Sequence, residues 1–289
     1  VLDQQLKSKI YSIKEITPNM LDIAVKSPMA ARNYQPGQIY RLQNFAETSD
    51  KLIKPLALSP YKVDKTQGLI YFIILKAGKS TELCRNFKAG EEIVLMGPTG
   101  TSSYIPKSQN VILIGAGIRN LALLPIAQEL KDQGSKVIFF SVYNNVNDIV
   151  YIEKIKDIAE ETHIFILPSN SNDNLNINSF INKINKLKKS KNAYIISYVT
   201  NRMLEEIKVY EQELFKDSEF VCGILAPMQC MMKGICGQCI QKVDNDKGYI
   251  FSCAEQEYDI KKFNPRVIAK RLEQNSLLEK LATITKPNY

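Results

Sequence analysis

Residues 222–253 read CGILAPMQCMMKGICGQCIQKVDNDKGYIFSC and hold five of the chain's six cysteines. Four of these make a pattern: Cys230, five residues, Cys236, two residues, Cys239, thirteen residues, Cys253. A C-x-x-C puts two thiolates on one tight loop, and Gly234 and Gly237 let the backbone turn closely around an ion or cluster. Between Cys239 and Cys253, IQKV and YIFS separated by DNDKG predict a hairpin, which would return the fourth cysteine to the first three. One loop with three thiolates and a distant fourth suits a [2Fe–2S] cluster. A zinc ribbon would normally use two C-x-x-C knuckles, and the sequence has one. The cluster is therefore preferred to zinc, and both to a set of buried, unliganded thiols.

Upstream, from about residue 106, apolar strands alternate with helices. VILIGAG runs into a glycine turn, and NLALLPIAQELKDQG is a helix ended by Gly134. KVIFFSV, HIFILP and AYIISYV are further strands; IVYIEKIKDIAEE, NSFINKINKLKKS and RMLEEIKVYEQELF are further helices. This alternation predicts a doubly wound parallel sheet with helices on both faces. SNSNDNLN at 169–176 is a solvated loop. EFV before Cys222 reads as the last strand, so Cys222 is expected to be packed rather than liganding.

Residues 1 to about 105 have another rhythm. Strands KIYSIKEI, MLDIAVKS, QIYRLQNF, LIKPLALS, GLIYFIILK and EEIVLMG are separated by TPN, QPGQ, DKTQG and KAGE, with one short helix near Ser80–Phe87. Even spacing predicts a closed antiparallel β-barrel. At the other end, Ile268, Leu272 and Leu281 recur at helical spacing and predict an amphipathic helix docked on its own protein. The expected parts are a barrel at 1–105, an α/β domain at 106–219, a four-cysteine module at 220–262 and a helical tail at 263–289.

A chain of 289 residues has room for these parts, and 45% hydrophobic with 24% charged residues is the composition of a soluble globular protein. No apolar run reaches membrane-spanning length, and the polar start VLDQQLKSKI is no signal peptide. The chain opens on Val1 rather than Met, as expected of a processed chain or a piece of a longer polypeptide. Clustered rather than scattered cysteines favour a reducing cytoplasm. The net charge is +8, from 38 basic and 30 acidic residues, but runs such as LKKSK carry no interleaved aromatics, which excludes nucleic-acid binding. The charge is compatible with an acidic redox partner or an anionic cofactor. The one histidine, His163 in HIFIL, reads as structural, which excludes histidine-based catalysis.

A barrel, then a doubly wound domain, then a four-cysteine module resembles the ferredoxin reductase-like flavoprotein family. More narrowly, the order is similar to that of dihydroorotate dehydrogenase electron-transfer subunits and the small subunits of NADH-dependent ferredoxin:NADP oxidoreductases. The resemblance implies FAD, with FMN as the other possibility, on the barrel. Pro36–Gln38 followed by Ile39 and Tyr40 is similar to the family's P-G-Q-F strand, and Lys54, Pro55, Leu56 and Ala57 to its R-P-x-S strand. Lys54 keeps a cation but loses the guanidinium fork, and Ala57 loses a hydroxyl. Gly78, Ser80 and Thr81 resemble a diphosphate-binding helix start, and equally an ordinary N-cap. GPTG at 97–100 resembles the family's G-P-x-G turn, and equally a domain-linking turn.

Gly115 and Gly117 stand where the family has a glycine-rich turn for NAD(P)H, with Arg119 in place of a glycine. That arginine either obstructs the nucleotide or pairs with its phosphates. Tyr198-Val199-Thr200 stands where the family has C-G-P, while Met203 matches. The family's gap before its C-x-x-C would place a ligand at Met231, a poor thioether donor. Cys230 lies one residue further back, and Gly234 gives slack. The implied ligand set is Cys230, Cys236, Cys239 and Cys253, with Cys222 free. Tyr289 reads as a frayed terminus. The implied activity is electron transfer between NAD(P)H, flavin and cluster, toward a partner oxidoreductase subunit or domain. The alternative is a catalytically decayed docking module, stabilised by zinc or a cluster.

Overall fold

A computed structural model describes residues 7–44, 55–167, 180–184, 193–210, 218–224 and 235–265. The first seven strands are β1 (Lys7–Thr17), β2 (Met20–Lys26), β3 (Ile39–Gln43), β4 (Leu56–Leu58), β5 (Lys62–Asp64), β6 (Leu69–Leu75) and β7 (Glu92–Thr99). They form one antiparallel sheet in the order β4-β3-β7-β1-β2-β6-β5. Strand periodicity builds its core: Leu21, Ile23 and Val25 on β2 lie opposite Ile74, Phe72 and Ile70 on β6, and all six are buried. This is the antiparallel barrel-type sheet expected from the sequence; among the described residues its pairing order runs from β4 to β5. The expected short helix is Lys79–Leu83, followed by a 3₁₀ turn at Cys84–Asn86. A second helix, Pro28–Arg32, was not anticipated; Pro28 opens it in the first turn, where no N–H is needed.

The later strands are β8 (Asn110–Ala116), β9 (Lys136–Tyr143), β10 (Glu161–Ile166), β11 (Tyr194–Tyr198), β12 (Glu219–Gly223), β13 (Ile240–Lys242), β14 (Tyr249–Phe251) and β15 (Glu257–Asp259). Six make a sheet in the order β10-β9-β8-β11-β12-β15, parallel except for β15, which pairs antiparallel with β12. From β8 the chain moves to β9 on one side and later to β11 on the other. The switch point therefore lies between β8 and β11, where open sheets of this type bind ligands.

From Val111 to Ala116 β8 is apolar and buried because both faces are covered. Ile112 and Ile114 join a core with residues 180–184 and with Met203, Leu204 and Ile207 of the helix Asn201–Val209. Val111 and Leu113 join a second core with the helix Leu124–Asp132 and with Met20, Tyr61 and Ile73 of the barrel. The barrel thus packs on one face. The hairpin β13–β14 and its sequel pack on the other, through Val243, Ile250, Ile260 and Phe263. Lys208 helps by donating from Nζ to the Phe263 carbonyl at 2.6 Å.

The helix expected after the glycine turn comes in two pieces, Arg119–Ala122 and Leu124–Asp132. Pro125 lacks the N–H that would bond to Leu121, so the hydrogen-bond ladder is interrupted there. Of the expected tail helix only 263–265 is described; Ile268, Leu272, Leu281 and Tyr289 lie outside the described residues, as does the loop 169–176. Among the described residues no helix is long and apolar enough to cross a membrane.

Candidate functional site

At the switch point β8 ends in Gly115-Ala116, and Gly117 begins the turn. Gly117 has φ +57°, and a Cβ there would meet nothing within 4 Å, so this backbone is open to a close ligand. Gly115 is required for a different reason: a Cβ would come within 2.3 Å of Asn120 Oδ1. Asn120 is fully buried and donates from Nδ2 to the Gly117 carbonyl at 2.9 Å, which fixes the turn. Arg119 opens the short helix and is half-buried. Burial alone lowers its pKa; among the described residues no carboxylate pairs with it. A partly desolvated guanidinium without a counter-charge is costly, and an anion would relieve it.

On the barrel, register decides what faces out. Tyr40 lies opposite Leu58, Arg41 opposite Ala57, and Leu42 opposite Leu56. Tyr40 and Leu56 turn inward, and Tyr40 is 0% exposed with its hydroxyl donating to the Ala30 carbonyl at 3.0 Å. Tyr40 and Leu56, both expected beside a cofactor, are buried in the barrel's core. Ala57 faces outward and is exposed; Arg41, opposite it on the same face, is buried, and Pro55, two positions before Ala57, is half-buried. Arg41 reaches Met96 Sδ through Nη1 at 3.5 Å. Lys54 lies outside the described residues.

Gln38 is spent on structure: Nε2 donates to the Gly100 carbonyl at 2.9 Å, and Oε1 accepts from Gln35 N–H at 2.9 Å. The helix start is closed on itself. Thr81 Oγ1 accepts from the Ala77 and Gly78 N–H groups, each at 3.0 Å, and donates to the Gly78 carbonyl at 2.8 Å. Ser80 is buried beneath it. This is the N-cap arrangement, and it occupies the Ala77 and Gly78 amides. Beside it lies a groove of about 370 Å³ with Lys76, Lys79 and Arg85 in its lining. A larger cleft of about 470 Å³ separates the barrel from the helix Leu124–Asp132, with Tyr34, Pro36, Tyr61, Leu124 and Pro125 among its lining.

The cysteine hairpin is as the spacing predicts. β13 and β14 pair through Ile240 with Phe251 and Lys242 with Tyr249, and Gly248 (φ +72°) closes the turn. This brings Cys239 and Cys253 together, both buried, with their sulfurs 3.2 Å apart. Gly237 (φ +65°) turns the loop between Cys236 and Cys239, and Cys236 is exposed. Cys230 lies outside the described residues, and among those described no three metal-ligating side chains gather. Two buried sulfurs on facing strand ends suit one side of a thiolate-ligated centre. Cys222 sits on β12 in the sheet's core, 0% exposed, and burial pushes its thiol up to about 12.

Immediately after Cys253 the chain grips the barrel. Thr101 N–H donates to the Ala254 carbonyl at 2.8 Å, and Gln256 Nε2 donates to the Thr99 carbonyl at 3.1 Å. The GPTG turn thus links the barrel to the cysteine module: a Cβ on Gly100 would collide with Gln256. Next comes Glu257, whose Oε1 accepts from Ser103 Oγ at 2.6 Å and from Tyr198 hydroxyl at 2.8 Å. Burial raises the carboxyl's proton affinity, and the two hydrogen bonds oppose that. Sequence reasoning did not single out Arg41, Gln256 or Glu257. Glu257 finds its partners 154 and 59 positions away, and no local pattern marks such a contact.

No family model matches the chain. It is 36% identical over 288 residues to an uncharacterised protein of Rickettsia prowazekii (strain Madrid E). That match takes in 97% of this chain and 34% of the other, so the chain spans about a third of this relative's length. It is 23% identical over 229 residues to the electron transfer subunit of dihydroorotate dehydrogenase B (NAD(+)) of Fusobacterium nucleatum subsp. nucleatum, with 76% of this chain and 86% of that one covered. Among solved structures, a chain of NADH-dependent reduced ferredoxin-NADP oxidoreductase superposes with a TM-score of 0.78 at 18% identity, over 96% of this chain and 98% of the other. The expected order of barrel, doubly wound domain and cysteine module is thus that of a known fold.

Proposed function

We propose that this chain, which has a ferredoxin reductase-like fold, is the electron-transfer part of an NAD(P)H-linked oxidoreductase that holds FAD and a [2Fe–2S] cluster and serves a partner oxidoreductase subunit or domain. One observation carries the reading. The barrel's exit segment, the sheet's crevice and the cysteine module meet on the Glu257 carboxylate, 2.6 Å from Ser103 and 2.8 Å from Tyr198. Passing electrons between bound groups requires that the parts holding them converge, and the docking of Ala254 and Gln256 on Thr99–Thr101 fixes that convergence. The similarity to dihydroorotate dehydrogenase electron transfer subunits supports the same reading.

In this reading Gly117 lets the backbone approach a dinucleotide pyrophosphate, and Arg119 answers its charge. The outward face of β3 and β4, with Arg41 and Ala57, takes the flavin, and Lys54 adds a cation from the adjoining segment. Flavin, when bound, supplies the exchange between two-electron and one-electron steps. Cys230, Cys236, Cys239 and Cys253 hold the cluster, and buried Cys222 does not take part. The working parts are those read from the sequence: 1–105, 106–219 and 220–262, with a tail beyond. Clustered thiols suit the cytoplasm. The partner is a separate subunit or a further domain of one polypeptide. The Rickettsia relative, of which this chain spans 34%, has the length for the second arrangement.

The test is the anaerobic absorption spectrum of the freshly isolated chain, with iron, zinc, flavin and acid-labile sulfide analysis. Flavin bands with iron and sulfide are expected. A colourless protein with bound zinc would instead support the docking-module reading, which the self-capped Gly78–Thr81 turn favours.

A further inference from the structure

We infer that Tyr198 is a specificity-determining residue of the nucleotide crevice: its ring, pinned by Glu257, fills the space a nicotinamide ring would take, so the folded chain grips a dinucleotide by its adenosine diphosphate end. The inference rests on the proposal that the Gly115–Gly117 turn takes the dinucleotide phosphates. Tyr198 pairs directly with Gly115 on the neighbouring parallel strand, so it stands at the carboxyl edge of β11, beside the turn and at the switch point. A dinucleotide with its phosphates at Gly117 and Arg119 must run out over these strand ends. There the tyrosine ring leans across the end of β12: a Cβ on Gly223 would meet its Cδ1 at 2.6 Å and its Cε1 at 2.7 Å. Only glycine leaves room for it.

The ring is held through its hydroxyl, and the carboxylate that holds it is itself fixed twice. Its hydroxyl donates to Glu257 Oε1 at 2.8 Å; the same oxygen accepts from Ser103 at 2.6 Å; and β15, which carries Glu257, is laced to β12 at Gly223. Glu257 is therefore a positioning residue. A phenol ring and a pyridine ring are the same size and cannot share the space. The nicotinamide end should gain no affinity until the tyrosine moves, while the phosphates and ribose at Arg119 are unaffected.

Calorimetric titration of the full chain with ADP-ribose and with NADH separates the two ends of the ligand. For the unmodified protein the two affinities should agree within about twofold. Tyr198→Ala should raise NADH affinity by about tenfold, a differential near 1.4 kcal/mol, and leave ADP-ribose affinity unchanged. Tyr198→Phe keeps the ring but frees it from Glu257, so it should shift NADH in the same direction by less and guards against a folding failure in the alanine variant. Steady-state NADH oxidation with ferricyanide should show the change as a lower KM in both variants. Equal changes for ADP-ribose and NADH, or no change for NADH in the phenylalanine variant, would overturn the inference while leaving the nucleotide site standing. If ADP-ribose binds none of the proteins, the nucleotide site itself is refuted and this inference with it.

Discussion

Arg119 shows how a departure from a motif becomes interpretable once its surroundings are seen. In the sequence it could block the glycine turn or serve it. In the structure it is half-buried, its charge disfavoured by burial and unanswered by any carboxylate among the described residues, beside an open Gly117. Arg119→Ala should therefore weaken ADP-ribose binding by about tenfold, the scale of one charge-assisted hydrogen bond. The loss should shrink with added salt, because the contact is ionic. Unchanged affinity in calorimetry at low salt would remove the phosphate role. Two thiols make a contrast of the same kind. Burial pushes Cys84 and Cys222 up to about 12, so native protein at pH 8 should leave both unmodified by iodoacetamide, as peptide mapping would show.

Elements were legible wherever a local pattern builds them. The apolar run of β8, the alternation of β2 and the DNDKG turn each produced the element expected, because each depends on neighbours a few residues away. What faces the ligand was less legible. Whether Tyr40 or Arg41 points outward is set by pairing of β3 with β4, across a segment that no local pattern describes. The hairpin carries the ligand prediction. Cys239 and Cys253 are brought together by the pairing of Ile240 with Phe251, so Cys253→Ser should remove the proposed cluster. Cys230→Ser should lose the cluster or shift its spectrum, while Cys222→Ser, on the sheet, should leave iron content unchanged. Iron and sulfide analysis decides it: loss with Cys222→Ser and retention with Cys230→Ser would reverse the ligand set.

At the scale of the whole molecule, two tyrosine–carboxylate clasps hold the parts in one arrangement. Glu257 ties the cysteine module to the sheet and to the barrel's exit. Its carboxyl has a folded pKa above its unfolded value, so the folded state holds the proton longer. Stability from this group is greatest below the ordinary carboxylate pKa and declines as pH rises through the raised one. Glu257→Gln should flatten that part of the profile. The second clasp joins barrel to sheet domain directly: Asp22 Oδ2 accepts from Tyr61 at 2.9 Å and from Tyr151 at 2.6 Å, with the two rings 5.7 Å apart. Tyr151 adopts φ +53°, a left-handed backbone that a bulky residue takes only at a cost, and its contact with Asp22 offsets it. Burial first, then Asp22, raises the Tyr151 phenol, so the donor keeps its proton across the physiological range. Tyr151→Phe retains the ring and the strained backbone but loses the donor. It should lower stability by about 1 kcal/mol, seen as an earlier denaturant midpoint with an unchanged slope. Because Asp22 sits on β2 and Tyr151 precedes the helix Ile152–Ile158, amide hydrogen exchange should quicken in both places together. Faster exchange in the helix alone, with β2 as protected as before, would mean that Asp22 does not couple the barrel to the sheet.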